Sequence, residues 1–448
     1  MTHAGINSFG YGGANAHVIL EEAPRFLGQS LVDIHEPKHL VTCQSSVVLV
    51  LSAASTPSLE ARVADLANFD LGDTDLSDLA YTLGSRRTHF PVRGFLIAAC
   101  GDKISSLFSS RTLATSAATP SNAAHAPYAF VFTGQGSQWP GMCRELFAEF
   151  PVFRNAVAEM DSILKTLPHA PTSSLQDAIL NTESPDLIHL PERSQSCCMA
   201  IQVALIQLLA SWDIVPTVTV GHSSGEIAAA FAAGHISAAE SIIIAYYRGY
   251  LVSKTQQDGA MMAAGLSESA ASDEISQNAL EKLKVACVNS PEGVTISGDN
   301  SALDKLLQVL QEKNVFARKL KTGGQAYHSH HMLAIGEKYE AQLDRVLPTL
   351  GPSVQLQKAA TFVSSVTGGP KSSGFTGQYW RNNLESQVRF APAIEHIQSR
   401  SDHCFVELGP HSSLELLIRQ TLAKAGVSGT KSSTQPPSSG TQMHSKVP

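Results

Sequence analysis

Gly221-His222-Ser223-Ser224-Gly225 sets a serine between two glycines, after a mostly β-branched run at 215–220 and before a run of helix formers at 226–233. A strand ending in Gly-x-Ser-x-Gly turns into its helix so sharply that bulky neighbours would clash, and the serine Oγ projects at the helix N-terminus. The N–H groups and positive dipole end of that helix favour a developing anion. Ser223 is therefore a candidate covalent nucleophile, with an ordinary Gly/Ser turn as the competing reading.

Other residues could complete such a site. Gly134-Gln135-Gly136-Ser137-Gln138 follows an apolar strand and exposes backbone N–H groups. Two donors aimed at one point make an oxyanion hole, and the residue after the nucleophile, Ser224, supplies one of them in the usual geometry. Gln135 is the natural second donor, although a plain glycine-rich turn explains the loop as well. A serine hydroxyl needs a base near neutral pH, which points to histidine. Tyr327-His328-Ser329-His330-His331 holds three histidines in four residues, but no Glu sits between them as in His-Glu-x-x-His and no cysteine accompanies them, so a metal is not expected. Arg248 lies in a helix apolar on almost every side. Its guanidinium needs an anion, either Glu226 or Glu240 as an ion pair or a substrate carboxylate held bidentately. Gln195, Asn289 and Asn383 are polar residues beside apolar segments, a pattern that hydrogen-bonded core positions also produce.

The elements that must position these residues follow from the pattern. Apolar runs at 47–51 and 95–100 read as strands and 58–68 and 76–85 as helices, a small α+β module. From Tyr128 strands alternate with helices, as in a largely parallel sheet covered by helices. Residues 259–320 change to the order βαββαβ, a ferredoxin-like insertion. The expected division is a remnant at 1–24, an α+β linker domain at 25–113, a flexible Ser/Thr/Ala/Pro-rich linker at 114–127, the main domain at 128–426 and a disordered tail at 427–448.

At 448 residues and 43% hydrophobic the chain can build several ordinary cores. Only 16% of residues are charged, the net charge is -7, and no Lys/Arg block stands out, which excludes a nucleic-acid footprint. Seven scattered cysteines give neither a disulfide framework nor zinc spacing, so a reducing, cytoplasmic setting fits. No apolar run reaches the ~20 residues that span a bilayer, and no membrane partner is expected.

Taken together, the 134–138 loop, Gly221-His222-Ser223-Ser224-Gly225-Glu226, Arg248 and Ala326-Tyr327-His328-Ser329 resemble the acyltransferase domain of fungal type I polyketide synthases. Residues 5–18 resemble the last ketosynthase motif, and the small module resembles the linker that joins ketosynthase to acyltransferase. The resemblance implies an α/β fold with an α/β-hydrolase-like parallel core and ping-pong transfer of malonyl from malonyl-CoA to the phosphopantetheine of an acyl carrier protein. Ser223 would be nucleophile, His328 base and then acid, Gln135 and Ser224 the oxyanion hole, and Arg248 the carboxylate clamp. Gln195, Asn289 and Tyr327 would contact substrate. A backbone carbonyl would orient the histidine, and Asn383 is the matching position. The chain itself would bind no cofactor, and ketosynthase or other synthase domains are expected partners. His17 matches a ketosynthase histidine, but the ketosynthase cysteine has no counterpart, so condensation is not expected. Gln325 and Tyr327 depart from the usual His/Tyr and Phe, and Ser196-Cys197 stand where Pro-Ala is common. The aromatic ring at 327 still disfavours a methyl branch. A serine hydrolase of thioesterase type and an inactive fragment of a larger synthase are the alternatives.

Overall fold

The computed structural model describes residues 3–13, 15–21, 46–68, 75–99, 102, 107–108, 114–116, 126–182, 184–255, 257–350 and 360–425. The expected disordered tail and most of the expected linker lie outside these residues. The chain divides into two compact units, Met1–Thr119 and Pro120–Pro448.

In the first unit β1 (His3–Phe9) and β2 (Asn15–Glu21) form an antiparallel hairpin. A three-stranded antiparallel sheet follows, built from β3 (Val47–Ala53), β4 (Val92–Ala98) and β5 (Ala114–Ser116), with helices Thr56–Asn68 and Leu76–Ser85. β4 alternates buried and exposed residues along its length, the period-2 pattern of a sheet with one face on a core. That core gathers Leu49, Leu51, Leu59, Leu79, Leu83 and Leu96. β5 corrects the expected start of the flexible linker, because Ala114–Ser116 pair with Arg93–Phe95. Three residues are too short to leave a periodic signal.

The second unit holds two sheets. Its strands begin with β6 (Tyr128–Phe132), β7 (Val218–Gly221), β8 (Gly259–Ala264), β9 (Leu283–Ser290), β10 (Gly293–Asp299) and β11 (Ala317–Lys319). They continue with β12 (Thr361–Ser364), β13 (Gly369–Pro370), β14 (Val388–Arg389) and β15 (Cys404–Leu408). The main sheet runs β13-β12-β7-β6-β15, parallel except for β13 at its edge. Phe130, Val131, Phe132 and Val220 are fully buried, as both-faced cover by helices requires of central parallel strands. β7 starts at Val218 instead of the expected 215, since Pro216 has no N–H to give a ladder.

The inserted subdomain has the expected βαββαβ order, with helices Glu268–Gln277 and Asn300–Glu312. Its sheet runs β11-β8-β10-β9 with antiparallel neighbours, and it has its own core around Met262, Ile275, Ile296, Leu303 and Leu306. A fifth strand was not foreseen. β14 returns from residues 388–389 to pair parallel with β9, so the chain just before it is tied to the insertion.

The elbow at Ser223 packs tightly against β6. A Cβ on Gly225 would sit 2.3 Å from the Phe132 carbonyl oxygen and 2.7 Å from that of Thr133, both fixed backbone atoms. Gly225→Ala is expected to destabilise the chain by about 2–3 kcal/mol, read from its urea midpoint. Gly369→Ala, whose Cβ would meet nothing within 4 Å, serves as control. Equal midpoints for the two variants would contradict the close-packed elbow.

Candidate active site

Strand β7 and helix Gly225–Ala232 hold Ser223 between them, and its φ of 54° is left-handed. Its Oγ lies 2.7 Å from His328 Nε2. His328 Nδ1 lies 2.8 Å from the Ser386 carbonyl oxygen. A carbonyl can only accept, so Nδ1 carries the proton and Nε2 keeps a free lone pair toward the serine hydroxyl. His328 also has a left-handed φ, 58°, a conformation that costs of order 1–3 kcal/mol and persists only where the surroundings impose it.

Those surroundings are the end of helix Gly377–Glu385. Its Asn383 Nδ2 donates to the Ser223 carbonyl at 2.9 Å, its Leu384 carbonyl accepts the His328 N–H at 3.2 Å, and Ser386 follows immediately. Asn383 was expected to orient the histidine. It holds the serine backbone instead, and the orienting carbonyl belongs to Ser386, three residues on. A backbone acceptor has no side-chain signature, which is why a motif match lands on the neighbouring asparagine.

Arg248 is 1% exposed. Its Nη1 donates to Gln195 Oε1 at 2.8 Å and its Nη2 reaches Ser223 Oγ at 3.4 Å, while the guanidinium stands 5.5 Å from the Tyr327 ring centroid. Neither acid proposed as its ion-pair partner is used that way. Glu240 caps its own helix with Ser237, and Glu226 bonds elsewhere. Among the described residues Arg248 has no carboxylate partner and its Nε lacks a hydrogen bond, while the Tyr327 hydroxyl faces the Gln195 and Gln135 amides. Burial lowers the Arg248 pKa, and nearby Tyr339 and Tyr327 oppose that. His328 is held well below the ordinary histidine range by burial, then by the charge of Arg248 and by His222, against the Ser386 carbonyl. The imidazole is thus neutral and able to accept.

The Gln135 N–H donates to Ser224 Oγ at 3.1 Å, so the loop and elbow meet as expected and this donor has a hydroxyl as its resting partner. Asn289 is placed differently from a substrate contact: Oδ1 bonds His222 Nε2 at 2.8 Å and Nδ2 donates to Thr295 Oγ1 at 2.9 Å. It joins the insertion to the elbow. His222 packs its edge on Phe390 and takes no part in the Ser223 contact.

Sequence reasoning also missed the role of Glu226. Fully buried, its carboxylate accepts from Ser364 Oγ, Ser365 N, Ser365 Oγ and the Tyr379 hydroxyl at 2.6–3.0 Å. Burial raises its pKa while these four donors pull it down. The contacts tie the elbow helix to the end of β12 and to the helix that carries Asn383.

Ser223 thus lies beside a neutral imidazole and a buried guanidinium, on a parallel sheet with a ferredoxin-like insertion. The acyl transferase domain family matches residues 129–438, and the ketoacyl-synthetase C-terminal extension matches residues 1–97. The chain belongs to the acyl transferase family, in the arrangement found in fungal type I polyketide synthases. It is 66% identical over 427 residues to the highly reducing polyketide synthase anuA of Penicillium roqueforti, covering 95% of this chain and 20% of that protein. The chain thus spans about a fifth of the length of the curated relatives it matches. Among solved structures, the acyltransferase domain from module 8 of the salinomycin polyketide synthase superposes with TM-score 0.75 at 27% identity, over 85% of this chain and 89% of that one. The acyl transferase domain of SpnD in complex with 2-(pent-4-yn-1-yl)malonyl gives TM-score 0.72 at 26% identity, over 85% and 88%.

The two contacts of the 383–386 segment separate by experiment. His328→Ala is expected to slow inactivation of Ser223 by a sulfonyl fluoride about 10²–10⁴-fold. Asn383→Ala should keep that reactivity within about tenfold yet lose ~1–3 kcal/mol of stability, because a buried carbonyl goes unpaired. The reverse ranking of reactivities would return the orienting role to Asn383.

Proposed function

We propose that this chain moves a malonyl group from coenzyme A, through a Ser223 acyl-enzyme, to the phosphopantetheine thiol of an acyl carrier protein. The observation that carries the reading is Arg248: a buried guanidinium with no carboxylate partner among the described residues, 3.4 Å from the attacking oxygen. An acyl group ending in a carboxylate supplies the missing anion. Ser223 Oγ attacks the thioester carbonyl as His328 Nε2 takes its proton. The C–S bond then breaks, and His328 returns the proton to the coenzyme A sulfur. The carrier thiol repeats the sequence in reverse, giving its proton to His328 and releasing Ser223. The N–H groups of Gln135 and Ser224 hold the intermediate oxyanion once the Ser224 hydroxyl yields its place. Gln195 fixes Arg248, and the Tyr327 ring crowds an α-branch, which favours malonyl over methylmalonyl. The 2-(pent-4-yn-1-yl)malonyl group in the SpnD complex supports a malonyl-type acyl group as the substrate class, and the choice of the unbranched unit rests on Tyr327 alone.

The setting we infer is the cytoplasm, where the five described free thiols keep that state. Among the described residues no helix is long and apolar enough to cross a membrane. The ketosynthase extension makes other synthase domains the proposed neighbours.

Intact mass after incubation with malonyl-CoA is expected to show one malonyl adduct, absent in Ser223→Ala. Arg248→Ala should reduce malonyl transfer by about 10²-fold or more, the scale of a buried charge pair losing one partner, and spare acetyl transfer. An adduct that persists in Ser223→Ala sinks the acyl-enzyme. Free coenzyme A released at one rate with and without carrier protein would make the chain a hydrolase instead.

A further inference from the structure

We propose that Asp299, His330 and His331 form a binding site for a divalent transition cation, zinc by its donor chemistry, beside the turn that carries His328. The histidine cluster lacked a metal signature in sequence because its third ligand is remote. The fold supplies it from the end of β10, where Asp299 Oδ1 lies 2.7 Å from His331 Nε2 and 3.0 Å from His330 Nε2. The three ligand atoms all lie within 4.8 Å of one another.

The spacing suits zinc. Bonds of about 2.0–2.1 Å in a tetrahedron separate ligand atoms by roughly 3.3 Å, so the two Asp299 contacts at 2.7 and 3.0 Å need to lengthen only slightly, and the two imidazole nitrogens start within 4.8 Å of each other. Two imidazoles and one carboxylate leave a fourth position for water. The side chains are accessible enough for entry, with His330 42%, Asp299 35% and His331 13% exposed. Nitrogen donors exclude magnesium and calcium, which take oxygen shells.

The backbone under the ligands is held by bonds that a cation does not need. Ser329 Oγ accepts the His331 N–H at 3.2 Å and donates to the Ala326 carbonyl at 2.6 Å. Gln257 Nε2 donates to the His331 carbonyl at 2.7 Å, and Met332 is fully buried. Asp299 heads helix Asn300–Glu312 without using its side chain as a cap, so its carboxylate is available. A bound cation replaces imidazole protons and clamps the inserted subdomain to the segment after the catalytic histidine. It takes no part in acyl transfer.

Calorimetric titration of the 448-residue chain with zinc chloride in a non-chelating buffer tests the site. One equivalent should bind, at least tenfold more weakly in Asp299→Asn and in His331→Gln, and unchanged in His411→Gln, an exposed histidine elsewhere. Zinc should raise the melting temperature of the parent chain and leave that of Asp299→Asn in place. Asparagine is itself a good helix N-cap, so that variant preserves the helix start. Zinc uptake untouched by Asp299→Asn, or magnesium competing on equal terms, overturns the assignment.

Discussion

One carbonyl, that of Ser386, decides the state of the imidazole on which the site depends. Because it only accepts, it fixes the proton on His328 Nδ1 and leaves Nε2 to face Ser223. The carbonyl is itself held on both sides. It follows the helix Gly377–Glu385 that donates to the Ser223 carbonyl through Asn383, and it precedes β14, which pairs with the inserted sheet. The Glu226 carboxylate closes the circuit by binding Tyr379 of that helix from the first turn of the elbow helix. Ser223 and His328 both sit in left-handed backbone, and this ring of contacts supplies the energy that keeps them there.

A buried charge without a counter-ion is costly, and among the described residues Arg248 has no carboxylate partner. Its neighbours reduce the cost in part, Gln195 through a hydrogen bond and Tyr327 through its ring face. They are neutral, so they leave the positive field unquenched at Ser223 Oγ. That field also disfavours a protonated His328.

The elements were legible in the sequence where they are long and periodic. The Ser223 elbow and the βαββαβ insertion announce themselves through glycines and through changes of hydrophobic period. Pro216 hid the start of β7, and β5 and β14 are too short to carry a pattern. The meeting of Ser223 with His328 and Arg248, and of the Gln135 loop with the elbow, was legible because those positions are marked by side chains or by glycine-rich turns. Ser386 was not, since a backbone carbonyl looks the same under every residue. Glu226 and Asp299 were missed for another reason: their partners, Tyr379 and His331, lie far along the chain and meet them only in the fold.

The choice of a carbonyl over a carboxylate behind the histidine follows from Arg248. An acid behind His328 would put a negative charge against an imidazole that already feels the Arg248 charge, and it would weaken the field that the carboxylate of the proposed substrate meets. With a neutral acceptor there, Arg248 has no carboxylate partner among the described residues, and in the proposed reaction the acyl group brings that anion. Under the proposed function, the orientation of the base and a preference for an acidic acyl group would thus both follow from a neutral acceptor behind His328. A hydrolase built on the same elbow, with no acid to recognise, is free to place a carboxylate behind its histidine.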